Sequence, residues 1–287
     1  MLESPREKGS PMTMPNRRAE LVAELERGIG ELVTSDRWRA HLEVQSRFRQ
    51  YSFGNVTLIA SQCPDATRVA GFQAWRGLGR SVRRGERAIW ILAPMLAPRE
   101  EDRRAASKGH ERVVRGFKAV PVFDVSQTDG PDLPSVCAAL QGSDDAGAYD
   151  RLVGFGSMIG FAVEDRELEA GTNGDCSHEQ HLIRVERRNQ PAQRVKTLAH
   201  EIAHALLHET FEDRSLAELE AESVAYVVCR SLGFDASGYS FGYVALWAGG
   251  GERAIAGVRS SGERIQKAAA RILSGIGGVG AGEEEAA

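Results

Sequence analysis

Apolar residues recur at helical spacing near both ends of the chain. Residues 19–50 carry an apolar position every three or four residues, which predicts one or two amphipathic helices. These positions are Leu21, Leu25, Ile29 and Leu32. Residues 260–273 predict a closing helix in the same way. Residues 1–16 and 274–287 are polar, charged or glycine-rich without an apolar period, so we expect both to be disordered.

Strand patterns occupy the middle of the chain. Residues 88–94 and 117–124 read as strands, and the charged stretch 99–111 between them predicts an elaborated hairpin. Residues 181–185 alternate apolar and polar side chains and predict a further strand. A strand at the edge of a sheet can bind an extended peptide by backbone pairing, which is the role expected here.

Length and charge predict two domains of an α+β fold. Glycine, proline and aspartate cluster in residues 129–147, which predicts a linker between domains at 17–128 and 148–273. Residues 1–125 hold 22 Lys and Arg against 15 Asp and Glu, a net charge of +7. Residues 126–287 hold 14 against 25, a net charge of −11. This asymmetry indicates a half that binds a polyanion joined to an acidic half.

The candidate chemistry lies in His200-Glu201-Ile202-Ala203-His204. Residues 194–209 contain no glycine or proline, so a continuous helix is expected. Helical spacing then puts His200 and His204 on one face, where both can bind one zinc ion. Glu201 lies beside them, where it can take a proton from water as general base. The alternative is a core helix whose histidines are satisfied by hydrogen bonds alone.

A third protein ligand is needed, and His208 is a poor choice because side chains at i, i+4 and i+8 of a straight helix cannot converge on one ion. Glu218 and Glu222 share a face of the next predicted helix, 215–226. We expect Glu218 to bind the metal and Glu222 to hold a ligand histidine by its other ring nitrogen. Alternatively, Ser215 and Glu218 form a capping box, which would make Glu222 the ligand.

Arginine dominates the positive charge of the first half. Five arginines fall within twelve residues, namely Arg76, Arg80, Arg83, Arg84 and Arg87. They are interleaved with aromatic residues, and both groups suit a phosphate backbone with stacked bases. We expect Tyr51, Trp75 and the hairpin 80–87 to be exposed, and Phe72 and Trp90 to be core residues.

Two segments resemble known families. Residues 197–226 are similar to the zinc peptidase domains of ImmA/IrrE type and of ArdC-type plasmid antirestriction proteins, which pair HExxH with a downstream glutamate helix. Residues 51–94 and 122–127 are similar to the N-terminal single-stranded-DNA-binding domain of ArdC-like proteins. The segment 175–181 is more polar than expected for the region of that family that flanks the substrate.

The resemblance implies a DNA-binding zinc-dependent metalloendopeptidase of the gluzincin type. Its metal would be zinc, with manganese or cobalt as alternatives, and its partners single-stranded DNA and a protein or peptide substrate. The residues implied for DNA binding are Tyr51, Trp75, Arg80, Arg83, Arg84 and Arg87. Two other functions stay open: an antirestriction protein that binds single strands without proteolysis, and a regulatory peptidase that cleaves a repressor.

An oxyanion donor is also required, and three tyrosines lie downstream of the metal motif. They are Tyr226, Tyr239 and Tyr243, of which Tyr243 is favoured. The four cysteines show no C-x-x-C pair, and the sequence contains no signal peptide and no apolar span of membrane length. We therefore expect a cytoplasmic protein that does not bind membranes.

Overall fold

The computed structural model describes residues 14–32, 35–98, 112–133, 145–210, 213–234 and 251–277. In the N-terminal region the elements are α1 (Met14–Glu31), α2 (Ser35–Arg47), α3 (Phe53–Gln62), β1 (Val69–Ala70), α4 (Phe72–Gly77), β2 (Ser81–Val82), β3 (Ile89–Pro98), β4 (Arg112–Asp124) and β5 (Thr128–Asp129). In the C-terminal region they are α5 (Asp145–Met158), β6 (Ala162–Arg166), β7 (Gly174–Ser177), β8 (Leu182–Glu186), α6 (Pro191–Leu207), α7 (Arg214–Ser231) and α8 (Gly251–Ile276). The mixture of helix and sheet confirms the predicted α+β class.

The N-terminal sheet is built on the long antiparallel pair β3 and β4, which confirms the predicted hairpin. The short strand β1 pairs with β4, and β2 pairs separately with β5. Helix α3 covers the free edge of β3 through two side-chain amides. Asn55 exchanges two hydrogen bonds with the backbone of Leu92, at 2.9 and 3.0 Å, and Gln62 does the same with Trp90 at 2.9 Å. These amides take the place of a neighbouring strand and protect the edge from pairing with another chain.

The C-terminal sheet has the order β6-β8-β7, with β8 parallel to β6 and antiparallel to β7. The strand predicted at residues 181–185 is therefore present at 182–186, but it is the central strand of the described sheet. The prediction that it pairs with a substrate as an edge strand is wrong, since both of its edges are occupied. Strand β7 is the edge strand that packs against α6.

The two regions share one hydrophobic core. Trp38 and Phe53 from the N-terminal helices lie in the same buried cluster as Leu198 of α6 and Ile265 of α8. The indole Nε1 of Trp38 donates to Ser223 Oγ of α7 at 3.0 Å. The change in charge and composition along the sequence therefore does not coincide with a break in packing.

The helix ends differ slightly from the predicted boundaries. Helix α1 begins at Met14 and α8 ends at Ile276, whereas disorder is predicted to extend to residue 16 and to resume at residue 274. The predicted loop 99–111 and residues 134–144 of the predicted linker lie outside the described residues. None of the helices in the described ranges is long and apolar enough to cross a membrane.

Candidate metal centre

Helix α6 carries the two histidines on its polar face. Pro191 starts the helix, where its missing N–H is no loss. Val195, Leu198 and Ile202 are fully buried and fix the rotation of the helix against the core. His200 and His204, on the opposite side, line a cavity of about 610 Å³.

Helix α7 supplies the carboxylates. Its N-cap is Asp213, whose side chain accepts from the backbone N–H of Leu216 at 3.1 Å. Ser215 therefore lies inside the helix, and the alternative in which it caps the helix together with Glu218 is wrong. Glu218, at 52% side-chain exposure, faces the two histidines across the cavity.

His200, His204 and Glu218 bring three potential ligand atoms together. The Nε2 atoms of the two histidines are 3.0 Å apart, and Glu218 Oε2 lies 3.4 Å from His200 Nε2 and 3.8 Å from His204 Nε2. Ligand atoms at about 2.0–2.2 Å from a tetrahedral zinc ion lie roughly 3.3–3.6 Å from one another. The three observed distances bracket this value, so the residues fit a divalent ion with a coordination position left open.

Glu222 lies one turn along α7 and faces the other nitrogen of His200. Its Oε2 atom is 3.3 Å from His200 Nδ1, and its Oε1 atom is 2.9 Å from the Lys196 ammonium. This is the position expected for a residue that orients a ligand histidine. The sequence patterns did not single out Lys196, although it lies four residues before His200 and therefore on the same helix face.

The charges at this cluster favour a cation. Burial alone would lower the pKa of His200, but hydrogen bonds to Glu218 and Glu222 raise it to about 9. Burial lowers the pKa of His204, although Glu218 opposes this effect. The hydrogen bonds from both histidines hold the pKa of Glu218 well below its usual range. A metal ion can replace the proton held between these groups, because metal binding and proton release are coupled.

Glu201 is buried at the wall of the same cavity. Burial raises the pKa of its carboxyl to about 7, while the neighbouring His200 opposes the rise. A carboxyl with a pKa in this range can both accept and return a proton near neutral pH. The structure therefore brings Glu201 to the cavity with His200, His204 and Glu218.

Strand β7 and the turn after it form the other wall. Asp175, Cys176 and His178 line the cavity, and His178 Nε2 lies 3.1 Å from the backbone oxygen of His204. These residues belong to segment 175–181, whose polarity is unexpectedly high in the sequence. Three of its seven residues thus line the cavity. Gly174 permits the close packing of β7 on α6, since a Cβ atom there would lie 2.5 Å from Thr197 Cγ2 and 3.1 Å from Glu201 Cγ.

The structure corrects two of the predicted DNA contacts. Trp75 is 0% exposed, and its Nε1 donates to the Phe123 backbone oxygen at 2.8 Å, so its prediction as an exposed stacking residue is wrong. Phe72 is 46% exposed, so its prediction as a core residue is also wrong. Helix α4 has only six residues, too few for an apolar period to show which aromatic ring faces inward.

Arg80 is the second correction. Its guanidinium is buried and donates to both oxygens of Thr128, at 2.8 and 3.0 Å, and to the backbone oxygens of Gly130 and Pro131. These bonds connect the residue before β2 to β5 and to the two residues that follow β5. Arg80 is therefore a structural residue, and its donors are not available to a phosphate.

The remaining predicted DNA residues lie at or near the surface. Arg84 and Arg87 are exposed, and Arg83 is exposed while forming ion pairs with Glu86 and Asp129. Tyr51 is half-buried, and its hydroxyl donates to the Val69 backbone oxygen at 3.1 Å. Its ring is therefore only partly accessible.

Of the three candidate oxyanion donors, Tyr226 lies within the described residues, and it does not line the cavity. Tyr226 is buried, and its hydroxyl donates to Glu43 Oε2 at 2.9 Å on the side of α7 that faces α2. Tyr239 and Tyr243 lie outside the described residues.

Two family models match the chain. The N-terminal domain of the anti-restriction factor ArdC matches residues 15–123, and the IrrE N-terminal-like domain of the peptidase M78 type matches residues 162–229. The chain is also 26% identical over 250 residues to an uncharacterized protein of Bacillus anthracis. That match covers 72% of this chain and 42% of the relative, so the chain spans less than half the length of that protein.

Solved structures of the antirestriction protein ArdC from plasmid R388 are similar as well. The metal-free crystal structure is 19% identical with a TM-score of 0.48, over 79% of this chain and 85% of that one. The Mn(II)-bound structure is 19% identical with a TM-score of 0.47, over 84% of this chain and 99% of that one. Residues 15–123 thus resemble the ArdC N-terminal domain and residues 162–229 the IrrE-like peptidase M78 domain, so the chain is ArdC-like in the order of its two matched domains.

Proposed function

We propose that the chain is a DNA-binding metallopeptidase in which His200, His204 and Glu218 bind one divalent ion and Glu201 is the general base. The observation that carries the proposal is the approach of three ligand atoms to within 4.8 Å of one another beside a buried carboxyl. Two imidazoles and one carboxylate are a ligand set of catalytic zinc sites. Zinc is therefore the preferred ion, with manganese and cobalt as alternatives.

The chain's own residues supply the proton transfers and the positioning. A divalent ion, when bound, would polarise a carbonyl group and lower the pKa of water. Glu201 would accept the proton of the attacking water and return it to the leaving amine. The exposed edge of β7 could align an extended peptide by backbone hydrogen bonds, in the role that the sequence assigned to β8. Tyr243 stays a prediction for the oxyanion donor.

The DNA-binding part of the proposal rests on the exposed residues of the N-terminal region. Phe72 and Arg76 are both exposed and lie at i and i+4 of α4, so they share one face. Arg84 and Arg87 are exposed on the turn that follows β2. An exposed aromatic ring near arginines suits a single strand, whose bases are free to stack.

Hydrolysis is tested with a peptide library derived from a cellular proteome, incubated with the zinc-loaded protein with and without single-stranded DNA. Mass spectrometry of new N-termini should show cleavage by the wild type and none by Glu201→Gln. Glu179→Gln, at an exposed position after β7, is the matched control and should cleave like the wild type. Cleavage by Glu201→Gln at the wild-type rate would remove Glu201 from the mechanism.

A restriction-protection assay in cells separates the open functions. If Glu201→Gln still protects incoming DNA, the chain acts as a non-proteolytic DNA-binding protein. If it loses protection while binding single-stranded DNA normally, proteolysis is part of the role. Loss of cleavage of one repressor, with protection unchanged, would instead support the regulatory peptidase.

DNA binding is tested on the full chain at several salt concentrations. Replacing Arg84 and Arg87 with alanine should reduce the salt dependence by about 0.7 in log–log slope for each phosphate that is no longer neutralised. Phe72→Ala should weaken binding at every salt concentration with little change in slope, because stacking releases no counterions. An arginine double variant with the wild-type slope would show that this turn does not contact the DNA backbone.

A further inference from the structure

His208 lies at the C-cap of α6 and lines the same cavity, but it is not one of the three residues whose ligand atoms come together. Its side chain is 4% exposed, and its Nδ1 atom lies 2.9 Å from His204 Nδ1. This is the ring nitrogen of His204 that faces away from the cluster, since His204 Nε2 is the atom near His200 and Glu218. His208 thus contacts the proposed metal ligand His204 at the ring nitrogen that does not face the metal.

The protons of the two rings can be assigned from these contacts. If His204 Nε2 binds a metal ion, the neutral ring must carry its proton on Nδ1. That N–H donates to His208 Nδ1, which must then be an acceptor, so the proton of His208 lies on Nε2. His208 Nε2 faces Glu220 Oε2 at 3.3 Å, and a carboxylate accepts that bond. With this assignment each of the four ring nitrogens of His204 and His208 has a role.

Glu220 is held in turn by α8. Its side chain is 0% exposed, and Arg264 donates to its Oε2 atom through Nε at 3.0 Å and forms a second ion pair with Oε1. Arg264 is itself hydrogen-bonded to the hydroxyls of Ser260 and Ser261. A fully buried carboxylate is costly unless it is paired and hydrogen-bonded, so Arg264 fixes the position of Glu220.

The two histidines of the site are therefore supported differently. His200 contacts the carboxylate of Glu222 directly, and Lys196 neutralises that carboxylate. His204 reaches its carboxylate only through a second imidazole. We propose that His208, Glu220 and Arg264 form a hydrogen-bonded relay that sets the tautomer and ring orientation of His204 for metal binding. This inference rests on the proposed metal centre and adds three positioning residues to it.

The relay is tested by metal affinity, measured by competition with a chromophoric chelator, and by the visible spectrum of the Co(II)-substituted full chain. His208→Phe keeps a ring of similar size but cannot accept a hydrogen bond. It should bind zinc about 10- to 100-fold more weakly than the wild type, as for other residues that orient metal ligands. The Co(II) bands should also shift, because the ring of His204 is free to rotate.

His208→Gln is the rescue variant, since its amide can accept from His204 and donate to Glu220. It should restore most of the affinity and the wild-type Co(II) spectrum. Wild-type affinity and spectrum in His208→Phe would overturn the relay. An equal loss of affinity in His208→Phe and His208→Gln would overturn it as well, because a merely structural role would not distinguish the two.

Glu220→Gln tests the relay if His208→Phe does not fold. It places an amide N–H₂ against Arg264 and should weaken metal binding, while Glu263→Gln, at an exposed position of α8, should not. Glu220→Gln with the affinity of Glu263→Gln would overturn the relay. A wrong assignment of the metal centre would give a different result, because the wild type and His204→Ala would then bind zinc with equal affinity.

Discussion

Gly262→Ala tests the packing of α8 against the N-terminal region. An alanine Cβ at this position would lie 2.3, 2.5 and 2.6 Å from three ring atoms of Phe53, which is 1% exposed in the shared core. Carbon atoms pack at about 3.5–4.0 Å, so the ring or the helix must move by roughly 1 Å or more. Such overpacking costs about 1–3 kcal/mol, and we take the upper end because the neighbour is a buried ring.

The same substitution improves helix propensity by about 1 kcal/mol, so the net loss of unfolding free energy should be about 2 kcal/mol. Gly154→Ala is the matched control, since Gly154 is an exposed residue of α5 with no atom within 4 Å of an added Cβ. That variant should gain about 1 kcal/mol.

Urea unfolding followed by far-ultraviolet circular dichroism and by tryptophan fluorescence measures both variants. Coincident transitions from the two probes would support a single cooperative unit, as the shared core predicts. If Gly262→Ala gains stability like Gly154→Ala, α8 does not pack on Phe53 and the two regions do not share a core there.

Three further predictions concern charge, space and metal affinity. Hydrogen bonds from Arg230 lower the pKa of Glu43 to about 2, so their contribution to stability should be present above about pH 4.5 and lost as the pH falls toward 2. The difference in unfolding free energy between wild type and Glu43→Gln should therefore shrink across this pH range. A constant difference would contradict the role of these hydrogen bonds. Gly174→Ala should slow peptide hydrolysis without loss of bound metal, because its Cβ would lie 2.5 Å from Thr197 Cγ2 and 3.1 Å from Glu201 Cγ, so that β7 or α6 must shift beside Glu201. Unchanged hydrolysis would mean that the strand moves away without disturbing Glu201. Glu222→Ala should weaken zinc binding by about 10- to 100-fold in a chelator competition, and complete loss of the metal would instead make Glu222 a ligand.

Most of the site could be predicted from the spacing of residues within single helices. The i, i+4 pairs His200 with His204 and Glu218 with Glu222 each share a helix face, and the structure brings both pairs to one cavity. The expectation needed only the geometry of single helices. The partners of His208 could not be found in this way, because Glu220 and Arg264 lie on two other helices.

The incorrect predictions depended on tertiary contacts. Arg80 reads as a surface cation until Thr128, 48 residues away, is seen to accept its hydrogen bonds. Trp75 carries an indole N–H, which Phe72 lacks, and this group donates to the Phe123 carbonyl at the end of β4. The central position of β8 depends on two partner strands that alternation within one strand cannot reveal.

X-ray absorption spectroscopy of the zinc-loaded full chain tests the metal centre most directly. We expect one zinc per chain, with two imidazole nitrogens at about 2.0–2.1 Å and at least one carboxylate oxygen at about 2.0–2.2 Å. Glu218→Ala should lose the ion, while Glu179→Gln should retain it with the wild-type spectrum. Zinc bound by sulfur, or an unchanged spectrum and stoichiometry in Glu218→Ala, would contradict the assignment of His200, His204 and Glu218 as the metal ligands.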